Sequence, residues 1–151
     1  MAILDTNKKQ LTQDRDENIF IGIDLPFRRS TGKEGYFAST KTTIEAIKNN
    51  LRNLLNTHQG ERLMQPGIGL NLRQYLFEPV VTEDTVFSLK KDLVETISRW
   101  LPFVVVQKID TTFQPLNDST GRNVIRVELV FNIKNDTQSM EQLDLELGGE
   151  L

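Results

Sequence analysis

At 151 residues, with a net charge of −3, 38% hydrophobic and 26% charged residues, the chain has the size and composition of one globular domain able to bury its own core. It contains no cysteine, which excludes a disulfide framework, a thiol nucleophile and a cysteine-ligated zinc site. No apolar run approaches a membrane span, and "MAILDTNKKQLTQDRDENIF" lacks the apolar core and small-residue cleavage site of a signal peptide.

The charge is unevenly spread: residues 1–80 carry eleven Lys/Arg against nine Asp/Glu, and residues 81–151 seven against twelve. From Asn135 onward there are five acidic residues, Asp136, Glu141, Asp144, Glu146 and Glu150, and no basic one. That end is not built to grip phosphates, so nucleic acid is not an expected partner.

Residues 1–17 are polar and aperiodic and read as an N-terminal arm, leaving 18–148 as a single folded domain. In "NIFIGIDLPF" Ile19, Ile21 and Ile23 recur at the two-residue period of a strand, which Pro26 ends. The basic loop "RRSTGKEG" lacks the spacing of a phosphate-binding P-loop. Thr42 and Glu45 then form a capping-box pattern ahead of a stripe of Ile44, Ile47, Leu51, Leu54 and Leu55, predicting a helix that runs to a Gly60 cap. His58, the one histidine, falls in its last turn, with no second histidine or cysteine for a metal site or catalytic pair.

The stretch "QGERLMQPGIGLNLRQYLFEP" joins this helix to the next. Pro66, Gly67 and Gly69 shape its turn, Leu70, Leu72, Leu76 and Phe77 offer apolar anchors, and Glu61 and Arg62 are placed to pair locally. Thr82, followed by Glu83 and Asp84, predicts the N-terminus of a second helix, with Val86, Leu89, Leu93, Ile97 and Trp100 or Leu101 on one face and Pro102 as its stop. Beyond it, "FVVVQKIDTTF" and "NVIRVELVFNI" read as paired strands joined by the turn-rich "QPLNDSTGR", and "MEQLDLEL" as a terminal edge strand over 140–148. The fold class is therefore α+β: two main helices packed on one face of a small, mainly antiparallel sheet.

Catalytic signatures are weak. Glu61 and Glu78, with Asp84 as a third, are the candidates for a glycosidase-like carboxylate pair, and a cell-wall glycosidase is the alternative reading. The serines lack a nucleophile-elbow context, and metal-ligand clusters and a dinucleotide fingerprint are absent, so no cofactor is expected. The terminal strand is more informative. Glu141, Asp144 and Glu146 would oppose pairing with a second copy of themselves yet accept a neutral or basic strand from another protein.

A helix ending in "LLNTHQGERLMQPGIGLNLRQYLFEP", a second ending at "RWLPFVVV", the strand "NVIRVELVFNI" and the closing "MEQLDLEL" occur in an order that resembles the baseplate wedge proteins that initiate the sheath of contractile phage tails. Relatives of that family occur in type VI secretion baseplates and other contractile injection systems. The resemblance spans Ile19 to Leu147, and Gly60, Glu61, Arg62, Pro66, Gly69, Leu76, Phe77 and Glu78 carry its best marker. It implies a non-enzymatic virion protein, assembled in the host cytoplasm and present in several copies in a ring within the baseplate; the alternative becomes a baseplate-associated cell-wall glycosidase. Its implied partners are the tail sheath and the wedge proteins, with the tube or hub as a further contact, and neither nucleic acid nor membrane. The implied fold is like the interlocking domain of the sheath protein itself, where neighbouring chains share strands. By carry-over, Leu143, Leu145 and Leu147 pack into that shared sheet. If the terminal strand is exchanged in this way, deleting Glu141–Leu151 is expected to abolish sheath nucleation while leaving the domain folded. Leu101, Pro102 and Phe103 stand where the family often has Glu-Pro-Arg, which implies an apolar wedge contact in place of an ion pair.

Overall fold

The computed structural model describes residues 19–30, 35–77, 82–114, 124–134 and 136–147. The arm read at 1–17, the greater part of the "QPLNDSTGR" turn and the candidate carboxylate Glu78 lie outside these residues. The chain divides into two compact units, 1–51 and 52–151, with the division falling inside the first long helix.

In the first unit the predicted strand contracts to β1 (Gly22–Ile23), which pairs antiparallel with β2 (Ser39–Thr40) in a two-stranded sheet of its own. The ladder is extended by single hydrogen bonds, from Ile21 N–H to Thr40 O at 3.0 Å and from Asp24 N–H to Ala38 O at 2.9 Å. The ladder is interrupted at Leu25 and Pro26, where Pro26 brings no N–H, and pairing resumes beyond it, with Ala38 N–H bonding to Arg28 O at 2.8 Å, Ser30 N–H to Tyr36 O at 3.0 Å and Arg29 bridging Phe37, so Pro26 breaks the predicted strand without ending its pairing. Helix α1 (Thr43–Asn56) begins as expected, with the Thr42 hydroxyl accepting from Glu45 N–H at 3.3 Å, and buries Ile47, Leu51, Leu54 and Leu55.

Asp24 accepts a hydrogen bond from the Arg28 guanidinium, and Asn49 Nδ2 lies 3.5 Å from its other oxygen. The Arg28 hydrogen bond and charge hold the Asp24 carboxyl below its ordinary 3.8, against the upward push of burial. Ionised Asp24 therefore contributes stability that is fully present above pH 3.8 and disappears as pH falls through the lower folded value. Asp24→Asn should be less stable than wild type at neutral pH, and the gap should close in acid denaturation series as pH drops below 3.8.

Helix α1 ends at Asn56, short of the predicted Gly60 cap. The chain leaves the helix at Thr57, whose hydroxyl donates to Asn53 O at 2.6 Å, and enters a run of turns. His58 thus follows the helix instead of completing its last turn. A five-residue helix, α2 (Leu72–Leu76), follows the turns and buries Leu72 and Tyr75. Helix α3 (Glu83–Trp100) matches the prediction: Thr82 accepts from Thr85 N–H at 3.3 Å, and Leu89, Leu93 and Ile97 are each 0% exposed. Tyr75 on α2 donates to Asp92 Oδ2 on α3 at 2.7 Å.

Strands β3 (Val104–Gln114), β4 (Val124–Ile133) and β5 (Asp136–Leu147) form an antiparallel sheet in the order β3-β4-β5. On central β4, Ile125, Val127, Leu129, Phe131 and Ile133 all turn inward and are buried. Full burial of such a side chain stabilises by about 1.5–3 kcal/mol, so this row is the spine of the second unit. Leu129 faces Leu143 and Val127 faces Leu145 on β5, while α3 packs against β3 and α2 against β5. A bulge between Val106 and Lys108 leaves Gln107 outside the ladder, where its amide donates to Asn132 Oδ1 at 3.1 Å. No helix among the described residues is long and apolar enough to cross a membrane.

Candidate functional site

Strand β5 pairs with β4 on one side only, so its other edge offers backbone N–H and C=O groups among the described residues. Leu143 is 1% and Leu145 8% exposed, while Gln142, Asp144 and Glu146 face outward and Glu141 is half-buried. Leu147 keeps the register, opposite Ile125. The terminal strand is therefore an integral part of the core as well as an edge. Removal of Glu141–Leu151 would take two buried leucines with it, which argues against the expectation that the protein would stay folded without that segment.

The outward face of the sheet forms a grid set by register. Lys108, Val130 and Gln142 lie side by side, then Asp110, Glu128 and Asp144, then Thr112, Arg126 and Glu146. Its middle row places three carboxylates on adjacent strands, an arrangement that is unfavourable in isolation. Partial relief comes from the Lys108–Asp110 pair and from Arg126 Nε, 3.3 Å from Glu146 Oε2. Asp110, by hydrogen bond and charge, and Glu128 more weakly, raise the Lys108 pKa above its usual value. The acidic character of β5 was readable from its alternation. The contributions of Asp110 and Glu128 were not, since register is not visible in the chain.

At the end of α3, Leu101 N–H bonds to Ile97 O at 2.8 Å, Val104 N–H returns to Leu101 O at 2.9 Å, and Lys134 N–H reaches Phe103 O at 3.0 Å. Leu101, Pro102 and Phe103 thus make the corner from helix to sheet, with the Phe103 ring 40% exposed.

The segment beyond α1 contains three successive turns, closed by Glu61 N–H to His58 O, Gln65 N–H to Arg62 O and Ile68 N–H to Gln65 O, each at 3.1 Å. Gly60, at φ 88°, occupies the third position of the first turn, and Pro66 the second position of the last. Glu61 accepts from His58 N–H at 3.0 Å, so its carboxylate is tied to the loop and not to Arg62. Leu70 and Leu72 are buried and Leu76 half-buried, as expected of anchors, but Phe77 is 82% exposed and anchors nothing among the described residues. Two residues the sequence reading passed over, Leu63 and Met64, are 96% and 94% exposed at the middle turn.

Within the same unit, Gln59, Asn71, Gln74, Asp92, Glu95 and Arg99 border an open polar cleft of about 320 Å³. One Asp92 oxygen accepts from Tyr75, and the Arg99 guanidinium lies 5.5 Å from the Trp100 ring centre. Among the described residues no group of three His, Cys, Asp or Glu is placed to hold a metal ion.

The architecture is that of an α+β protein whose described chain ends in an acidic edge strand with one side open. More particularly, the profile of the family of baseplate wedge protein gp25 matches residues 41–138, and the chain belongs to that family. This bears out the contractile-tail baseplate resemblance read from the sequence. Among solved structures, the chain is similar to one from the anti-feeding prophage baseplate, determined by electron cryomicroscopy with sixfold symmetry imposed, at 24% identity and a TM-score of 0.58 over 77% of this chain and 86% of that one. It is also similar to a Geobacter sulfurreducens protein provisionally assigned as a tail lysozyme, at 20% identity and a TM-score of 0.58 over 73% of this chain and 94% of that one. Both likenesses are of fold. No curated protein matches the chain.

Proposed function

We propose that the chain sits in several copies around the baseplate of a contractile tail and templates the first sheath ring by lending the open edge of β5 to a strand of a sheath subunit. The observation that carries this reading is the geometry of β5: Leu143 and Leu145 lock it into the core while its far edge has no partner strand among the described residues. Asp144 and Glu146 then select against a second copy of the same edge and favour a neutral or basic strand. The half-exposed Phe103, with Leu101 and Pro102, supplies an apolar contact to a neighbouring wedge protein. In this reading the protein acts by binding, and Glu61, which the glycosidase reading needs as an acid or base, is an exposed turn residue whose carboxylate accepts His58 N–H. In this reading it functions in the virion and is assembled in the host cytoplasm.

Amide hydrogen exchange tests strand sharing directly. In the free protein, the β5 amides that do not face β4 should exchange quickly. In sheathed tails the 141–147 segment should slow by about 100-fold or more as those amides gain partners. Exchange in this segment that is the same before and after sheath assembly would refute the proposal. Asp144→Lys/Glu146→Lys should leave the fold intact, since Asp144 faces Glu128 and the Arg126–Glu146 pair is exposed, yet its baseplates should remain bare of sheath.

A further inference from the structure

The loop from Thr57 to Leu70 is a closed structure. Leu70 N–H bonds to Thr57 O at 2.9 Å and Gly60 N–H to Pro66 O at 2.8 Å, so the loop is pinned at its neck and again halfway. Gln59 adds two ties, its N–H to Asn71 Oδ1 at 3.3 Å and its side-chain amide to Gly69 O at 3.4 Å. The turn from Arg62 to Gln65 sits at the far end and carries Leu63 and Met64 at its two central positions.

Central turn positions normally hold Gly, Pro, Asn, Asp or Ser. Here they hold two large apolar side chains, 96% and 94% exposed, that contribute nothing to the core. The frame beneath them is held by hydrogen bonds from other residues, so the tip is presented in fixed form without helping to fix it. Such pre-ordering lowers the entropy cost of binding, and methionine adapts its shape to the surface it meets. The charge beside the tip is equally informative. Glu61 directs its carboxylate back to His58 N–H, while Arg62 is exposed and forms no ion pair with another described residue.

We infer that Leu63 and Met64 form a docking knob that inserts into an apolar socket with an acidic rim on a neighbouring protein of the baseplate, the rim pairing with Arg62. The inference rests on membership of the baseplate wedge family but not on strand sharing through β5. The knob secures the chain within the baseplate, and the edge strand acts afterwards on the sheath. Two side chains make an anchor and not a whole interface, which would bury roughly 800 Å² on each partner.

The chain has no cysteine, so Met64→Cys supplies a unique thiol. Purified Met64→Cys protein should react rapidly with a maleimide dye, and the same thiol in assembled baseplates should react at least about tenfold more slowly. Equal rates would overturn the inference. Leu63→Asp/Met64→Asp should keep the wild-type denaturation midpoint and be depleted about tenfold or more from purified baseplates; wild-type copy number would likewise overturn it. Arg62→Glu should reduce incorporation and Arg62→Lys should restore it, whereas full incorporation of Arg62→Glu would rule out the acidic rim. Strand sharing fails at a different stage: Asp144→Lys/Glu146→Lys baseplates contain the protein and lack sheath, while knob variants lack the protein.

Discussion

Removal of Glu141–Leu151 should unfold the second unit, and not simply deprive it of a partner. The deletion takes Leu143, 1% exposed, from opposite Leu129, and Leu145, 8% exposed, from opposite Val127, and it uncovers the whole far side of β4. Truncating one buried leucine to alanine costs about 2–5 kcal/mol. Losing two, with the ladder that holds them, removes an amount comparable to the roughly 5–15 kcal/mol by which small proteins are stable at all. Trp100, the one tryptophan, lies half-buried at the end of α3 and reports the transition by fluorescence. The truncated chain should show no cooperative unfolding transition, and Leu143→Ala should move the denaturant midpoint well below wild type. A truncated chain with an unchanged midpoint would mean that β5 is not part of the core. The consequence for assembly experiments is practical: sheath failure in a truncated protein says nothing about strand sharing, so the outward-facing Asp144 and Glu146 are the residues to alter.

The parts of this fold that were legible in the sequence are those whose side chains carry a period. Helix α3 announced itself through Thr82 and the Leu89, Leu93, Ile97 stripe, and β4 through five apolar residues at alternate positions. Helix α2 was not legible because five residues are too few to express a helical period, and its buried Leu72 and Tyr75 read equally well as loop anchors. The early start of β5 at Asp136 was hidden by Thr137, Gln138 and Ser139, which show no apolar alternation. Gly60 looked like a helix cap because a glycine after an apolar stripe usually is one, yet the helix stops at Asn56 and Gly60 serves a turn. The candidate interface shows the same divide. Acids alternating along β5 could be read directly, but their alignment with Glu128 and Asp110 depends on register and a bulge. Leu63 and Met64 escaped notice because apolar residues are expected to face inward.

Gly69→Ala should be among the most damaging single-atom additions to the chain. Gly69 has φ 100°, a backbone conformation that side-chain-bearing residues rarely adopt, and a Cβ built there would lie 2.2 Å from Thr57 O and 2.8 Å from Thr57 C. Both atoms are backbone, and that oxygen also accepts the Leu70 N–H that closes the loop, so neither side can yield without opening the neck. Strain from the dihedral and loss of the closing hydrogen bond together should cost about 3 kcal/mol or more, a fall in Tm on the order of 10 °C for a unit of this size. Gly60→Ala is the matched control. Its φ of 88° is equally unsuited to alanine, but nothing lies within 4 Å of the added carbon, so only the conformational cost of about 1 kcal/mol applies. Thermal unfolding of the two variants followed through Trp100 separates close approach from dihedral strain: similar losses would mean that the Thr57–Gly69 contact is not tight. Because the neck at Thr57 and Leu70 supports the Leu63–Met64 tip, Gly69→Ala should also lower incorporation into baseplates at temperatures where the rest of the chain remains folded, and Gly60→Ala should do so far less.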